Sequence, residues 1–496
     1  MKVLVPVFIV LAAGGPLCGA TLTVDDDGPA DYNNIQAAVT AAMPGDIVSL
    51  ADGVYTGPAN RGIDFGGKAI TLKSAHGPAR CIIDCQSRDR GIYFRHSETP
   101  MAIVDGLTIM NGRASEGGAI FSSDMTSATI RNCILRDNSA TYRGGAIATG
   151  YNSAPVIEGC LIYANTGDSS GGGISCWQTT LTLTDCTISR NTTRGEGGGL
   201  HFYSSTVNVN RCAFSGNAAV SDGGAVYFSQ ASPVFSNCVF TDNRADYGGG
   251  AVSCSYGTAG IAVNCTFRGN TTANRGGGVL CSNSGAITLT NCIFVSHTQH
   301  AVYREWAASV TIANCLFNEN QPSDVHDDET NASYSGAQID GLWAGNVNNL
   351  SGDPRFALAG DARLLGDSPC IDRGTNEPGQ PLPETDLDGN PRILDGNGDG
   401  ATVADIGAFE YNSAQPSIAL SAAEIEFVRE PDGTGPEPAD MQIQNCGGGT
   451  LSWQIDTNCP WLTFEPASGS VSGPANEAMI SADVDGMAQG ESIRRC

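Results

Sequence analysis

Two sets of residues in this 496-residue chain have types and spacings that chemistry can use. The first is acidic: Asp386-x-Asp388-Gly389-Asn390, then Asp395-x-Asn397-x-Asp399-Gly400. Alternate oxygen ligands with glycine at the sixth position form the first half of a calcium loop. The twelfth position, where a bidentate Glu belongs, is Ile406, with Asp405 one residue before it. The pattern is therefore no EF-hand. Two readings stay open: a looser structural calcium turn built from Asp386, Asp388, Asp395, Asn397, Asp399 and Asp405, or a plain acidic turn.

The second set is aromatic. Trp177 and Tyr203 are 26 residues apart, as are His201 and Tyr227. If that spacing is one turn of a stacked architecture, at about 4.8 Å per layer, the four residues fall within about 10 Å of one another. Exposed aromatics on a rigid strand face suit stacking on sugar rings. The plainer alternative is that they are scattered surface residues or lie under loops. The strand positions around them, from Phe121 through Ala148, Ser175, His201, Tyr227 and Ser253 to Leu280, carry no carboxylate, Lys or Arg. Neither do the positions two residues on, Ser123, Gly150, Trp177, Tyr203, Ser229, Ser255 and Ser282. Glycoside hydrolysis uses two placed carboxylates. Elimination needs a base and stabilisation of charge at the substrate. Catalysis would thus have to draw on loop acids such as Glu196, Asp222, Asp242 or Asp246.

The element that positions these residues is a repeat. Cysteines recur at Cys133, Cys160, Cys186, Cys212, Cys238, Cys265, Cys292 and Cys315, in steps of 23 to 27 residues. An apolar residue follows two positions later. Asn stands at the fifth: Asn138, Asn165, Asn191, Asn217, Asn243, Asn270 and Asn320, with His297 the exception. Glycine pairs then precede an aliphatic, as in Gly117-Gly118-Ala119-Ile120 and Gly223-Gly224-Ala225-Val226. A fixed period of this length marks stacked supersecondary units. Within one unit Leu181-Thr182-Leu183, Cys186-Thr187-Ile188 and Leu200-His201-Phe202 alternate as short strands, and Asn191 to Gly197 reads as loop. Three strands per turn without a helical period predict a right-handed parallel β-helix.

The residue before each cysteine is Asn, Gly or Asp in seven of eight units, so one corner should have positive φ, with a ladder of stacked Asn side chains there. Stacked cysteines one layer apart are slightly too far for a relaxed disulfide and are read as buried thiols, Cys254 and Cys281 being the pair most disposed to break the rule.

Net charge is −26, from 52 acids against 26 bases. That argues against nucleic acid or an anionic membrane as partner and suits an exported protein. Residues 1–20 read as a signal peptide, and no later apolar run is long enough to span a bilayer. Asp31 to Met43 forms a short amphipathic capping helix, begun by Asp31 or Asn33 and stopped by Pro44-Gly45. The β-helix is assigned to 21–350 and a closing segment to 351–412. A small immunoglobulin-like β-sandwich follows at 413–496, with six strands and Cys446 and Cys459 placed to bridge. Six strands are one short, so the sequence is expected to be truncated there, without any anchor.

On these residues the repeats resemble those of polymorphic outer-membrane proteins and the wider pectate-lyase-like β-helix superfamily, which includes secreted adhesins, polysaccharide lyases and hydrolases. Asp353-Pro354-Arg355-Phe356 and Asp405-Ile406-Gly407-Ala408-Phe409-Glu410 resemble the closing segment of exported bacterial proteins with varied C-terminal anchors. Gly447-Gly448-Gly449-Thr450-Leu451-Ser452-Trp453 with Pro460-Trp461-Leu462 is similar to BACON-type domains. The Asn-Thr-Asp, Gly-His-Gly and Arg-Ile-Lys signatures of polygalacturonases are absent. The expectation is therefore a non-catalytic binding or adhesion protein, secreted or at a bacterial cell surface. It would recognise a polysaccharide or cell-surface glycan through Trp177, His201, Tyr203 and Tyr227, with calcium as a structural ion. A polysaccharide lyase or glycoside hydrolase with a loop-built site is the alternative, and a structural rod a further one.

Overall fold

The computed structural model describes residues 19–421, 425, 427–428, 436–457, 461–483 and 492–493; residues 1–18 of the expected signal peptide and Cys459 lie outside them. The chain is an all-β right-handed parallel β-helix with one N-terminal helix and a small C-terminal antiparallel sandwich-like region. Three twelve-stranded sheets form the solenoid walls. Sheet 1 runs from Thr21–Val24 to Ser309–Ala313, sheet 2 from Gly53–Tyr55 to Leu350–Ser351, and sheet 3 from Ile63–Asp64 to Ala332–Tyr334. A seven-stranded sheet 4, from Arg113–Glu116 to Thr271–Thr272, lies where the sequence reads as loop. Connections of near-constant length stack in register, so even two-residue pieces such as Thr192–Thr193 find a partner above and below.

The predicted corner is present. The residue before each repeat cysteine has φ between 50° and 59°, Arg211 included. Arg211 is held there by a two-pronged bond to Asp185, 2.7 Å at each prong. In that column one Asn–Asn rung forms among the described bonds, Asn291 Nδ2 to Asn264 Oδ1 at 3.4 Å; the continuous Asn ladder is elsewhere. It is made by the fifth-position residues, which are buried. Asn138, Asn165, Asn191, Asn217 and Asn243 each donate backbone N–H and Nδ2 to the Oδ1 of the next Asn, at 2.9–3.1 Å. Asn270 N–H donates instead to His297 Nδ1 at 3.2 Å, and His297 N–H to Asn320 Oδ1 at 3.1 Å.

The cysteine column is buried and free, as expected. Removal from water pushes the thiols of Cys133 and Cys186 up. Cys254 Sγ and Cys281 Sγ do approach, to 3.0 Å. The apolar position two after the cysteine builds a stack of Phe214, Phe240, Phe267, Phe294 and Phe317, with centroids 4.7–5.1 Å apart. These rings fill the core at the layer spacing set by the sheets.

Helix Ile35–Ala41 covers the N-terminal end with Ile35, Ala38 and Val39. Its cap is Asn34, one residue later than expected, whose side chain accepts from Ala37 N at 2.9 Å. At the other end Arg304 pairs with Asp327 and Glu329 at 2.7 and 2.6 Å beneath Trp343.

The closing segment folds back along the solenoid. The pre-cysteine residues receive it: Asn237 Nδ2 donates to Thr385 O, Asn264 Nδ2 to Asp405 O and Asn291 Nδ2 to Thr375 O, at 2.8–3.0 Å. Ile371 and Ile406 pack on Ile293 and Leu316 of sheet 2. Within the segment Arg392 and Glu410, each 1% exposed, form a 2.7 Å ion pair.

The C-terminal region pairs Ile418–Leu420, Ala439–Asn445, Asn476–Ala482 and Leu462–Glu465 in one antiparallel sheet around Ile443, Trp453 and Val471. Ser468–Val471 is a strand paired with Leu451–Gln454, placing Gly469 opposite Trp453.

Candidate functional site

Sheet 3 presents its outward face between the glycine corner and the strand end. Trp177 ends strand Ile174–Trp177, His201 and Tyr203 lie on Leu200–Tyr203, and Tyr227 on Val226–Ser229. The register pairs Trp177 with Tyr203 and His201 with Tyr227. The four residues therefore form two columns. Trp177 and Tyr203 stack at 4.5 Å, and Arg143 covers Trp177 at 5.1 Å. His201 and Tyr227 stack at 5.6 Å and are only 8% and 7% exposed. The rings thus use much of their faces on one another.

A third column stands beside these two, one residue before each glycine corner: Glu116, Arg143, Ser170, Glu196, Asp222, Gly248 and Arg275. The corner glycine has φ +69° at Gly197 and +70° at Gly223, and a Cβ at either would collide with the carbonyl three residues on. The chain reverses there so tightly that the preceding side chain is carried onto the sheet 3 face.

Two acids stand on consecutive coils, and the first meets the histidine. Glu196 Oε2 lies 3.6 Å from His201 Nε2, and His201 Nδ1 lies 3.5 Å from Ser175 Oγ. Asp222 follows one coil later. Its Oδ1 is buried with no hydrogen-bond partner, and its other oxygen accepts a long 3.4 Å bond from Ser221 Oγ. Gly248 makes room for it: a Cβ there would stand 3.0 Å from Asp222 Oδ1 and collide with Leu280 Cδ2. Burial, then the charge of Glu196, pushes the Asp222 carboxyl up to about 6. Burial likewise raises Tyr227 to about 12, while its hydroxyl shares a 2.8 Å bond with Ser255. Further along, Arg275 pairs with Glu305 and faces the Tyr303 ring at 5.7 Å.

A carboxyl that holds its proton above the usual carboxylate range, one coil from a second carboxyl, is the kind of pair that acid–base cleavage of a glycosidic bond uses. The other loop acids lie apart. Asp242 sits at a positive-φ corner beside Gly269, and Asp246 pairs with Arg244 at 2.9 Å.

The six expected calcium ligands do not converge on one ion. Asp386 accepts from the N–H groups of Asp388, Asn390 and Glu410, and Asp395 from those of Gly398, Asp399 and Gly400. Asn397 Oδ1 accepts from Asp399 N–H in the same turn. Asp388 is held by Arg363, and the buried Asp405 accepts from Asp372 and Tyr411 N–H. Their oxygens are spent on shaping turns. Among the described residues the cluster that could hold a metal is Asp25, Asp26 and Asp27, with one oxygen each within 4.8 Å of the others.

The sequence matches the family described as right handed beta helix region over residues 79–232 and 172–346, more than half of the chain. The chain belongs to this family. No curated protein matches it in sequence. Among solved structures it resembles pectate lyase Pel9A, at 16% identity over 79% of this chain and 96% of that one, TM-score 0.43. It also resembles XylC in complex with xylose, at 11% identity over 78% and 98%, TM-score 0.39. A third is a mannuronic acid specific polysaccharide family 6 lyase from human gut microbiota, at 15% identity over 64% and 87%, TM-score 0.39. At these identities the likeness is one of fold.

The expectation of a non-catalytic binding or adhesion protein is corrected. Its ground, a face without carboxylates, fails, because Glu196 and Asp222 reach that face from the pre-glycine column. Counting alternation from the aliphatic after the glycines skips that column; its 26-residue recurrence was the available signal. Among the described residues no helix is long and apolar enough to cross a membrane.

Proposed function

We propose that this β-helix is a polysaccharide-cleaving enzyme whose acid–base pair is Asp222 and Glu196. The observation that carries the reading is the buried, partnerless Oδ1 of Asp222 one coil from the ionisable Glu196. Asp222 delivers its proton to the glycosidic oxygen and Glu196 serves as the base. His201 and Tyr227 line the centre, and the Trp177–Tyr203 stack offers edges and one outer ring face to neighbouring sugars. The C-terminal region, by its BACON-like sequence, serves as an accessory module in this reading, and the whole acts outside the cell. The test is release of soluble oligosaccharides from a polysaccharide panel by the full chain and by Glu196→Gln and Asp222→Asn. Cleavage that both variants retain would sink the assignment.

A further inference from the structure

The charges around Glu196 and Asp222 bear on what kind of polymer can enter. Elimination from a uronic acid requires positive charge at the sugar carboxylate, where the negative charge of the transition state collects. After Lys73 the chain contains no lysine. The neighbouring arginines turn to other acids: Arg143 pairs with Glu116 at 2.6 Å, Arg275 with Glu305 and Arg244 with Asp246 at 2.9 Å, while Arg194, 82% exposed, keeps only a loose 3.9 Å contact with Asp168. Of the two guanidinium groups with a buried partnerless nitrogen among the described residues, Arg392 is paired with Glu410, and Arg90 lies between Tyr93 and Phe121. It is four coils away along the Gly91–Ala119–Ala146–Gly173–Gly198 hydrogen-bond line, about 19 Å at the sheet spacing. A carboxylate or sulfate on the sugar at the cleavage point would instead meet Glu196, Asp222 and the nearby Glu305, whose charges already act on one another.

We infer that the substrate is an uncharged polysaccharide and that its bond is broken by hydrolysis, not by β-elimination. This rests on the acid–base pair proposed above. The glycosidic oxygen takes the proton of Asp222 as its bond to the anomeric carbon breaks. A water oxygen bonds to that carbon, and the water proton passes to Glu196. One water is consumed per bond, and the proton returns from Glu196 to Asp222 through solvent. No oxidant or cation enters the balance.

The experiment incubates the full chain with xylan, mannan, galactan and mixed-linkage glucan, and in parallel with polygalacturonate and alginate, in heavy-oxygen water. New reducing ends, heavy-oxygen incorporation and unsaturated ends are scored together, for wild type and Glu196→Gln. The expected result is labelled reducing ends from a neutral polymer, at least 100-fold fewer with the variant, and no unsaturated ends. Cleavage of a uronate polymer, with or without unsaturated ends, that the variant abolishes would overturn the substrate class while leaving the acid–base pair standing. No cleavage of any polymer, or cleavage untouched by the variant, would overturn both.

Discussion

Glu196 and Asp222 occupy the same station on consecutive coils: the N–H of Gly197, next to Glu196, donates to the Asp222 carbonyl at 2.9 Å. Their backbones are thereby held about one sheet spacing apart, without any loop that must close. Glu196→Gln and Asp222→Asn keep shape and remove acid–base capacity. Each should lower kcat/KM by about 100- to 10,000-fold with an unchanged circular dichroism spectrum. A loss below tenfold for both would place the chemistry elsewhere.

Asp222 also sets a pH dependence. Its folded value of about 6 is raised above the ordinary 3.8. The folded state therefore holds this proton more tightly than the unfolded chain. The stabilisation is full below about 3.8 and is lost as pH rises through 6. Asp222→Asn should flatten the decline of Tm between pH 4 and pH 8 and raise Tm at pH 8 relative to wild type. In the wild type, activity should fall above about pH 6 as the acid ionises. A variant whose Tm tracks the wild type across this range would contradict the burial of Asp222.

The Trp177–Tyr203 stack should matter for long substrates. Trp177→Ala with Tyr203→Ala removes the ring beneath Arg143 and the outer face of Tyr203. KM for polymer should rise several-fold, with kcat on short oligosaccharides nearly constant. Equal loss on both would mean that the stack supports the centre itself.

Asn217→Ala should be costly for its size. It strips acceptors from Asn191 N and Nδ2 and a donor from Ile188 O, all buried. A buried polar group left unpaired costs about 1–3 kcal/mol, so the denaturant midpoint should fall clearly. Asn208→Ala, on the outward side of sheet 1, is the control and should shift it little.

Arg392→Met leaves Glu410 buried and unpaired, which should cost about 3–5 kcal/mol. The double variant Arg392→Met with Glu410→Met should regain most of that. Loosening of the closing segment in the single variant is readable by limited proteolysis between residues 372 and 410.

The repeat was legible because Cys, Asn and Gly each answer one local demand: a small inward side chain, a paired amide and a reversed corner. The Asn ladder went to the wrong column because both columns are rich in Asn. What separates them is tolerance. The pre-cysteine site accepts Gly159, Asp185 and Arg211, so only its backbone matters in common, whereas the fifth position admits only Asn and His297, which offer nitrogen or oxygen acceptors. The acids of the site were visible as loop residues, but a two-residue period could not carry their direction across a glycine reversal. The docking of the closing segment was not legible, since Thr375, Thr385 and Asp405 meet the solenoid through backbone carbonyls, which every residue has. The acidic pattern at Asp386 to Asp399 reads alike for a calcium turn and for a turn whose carboxylates bind their own N–H groups.

A stack in which each layer touches only its neighbours can peel from either end, layer by layer. The strand of chain crossing Asn237, Asn264 and Asn291 works like a binding along the spine of a book, fastening three successive leaves at once. The C-terminal leaves must then open together or not at all. The helix-capped N-terminal leaves, where the described bonds show no such strap, remain the end at which unwinding begins, and hydrogen exchange should fade inward from there.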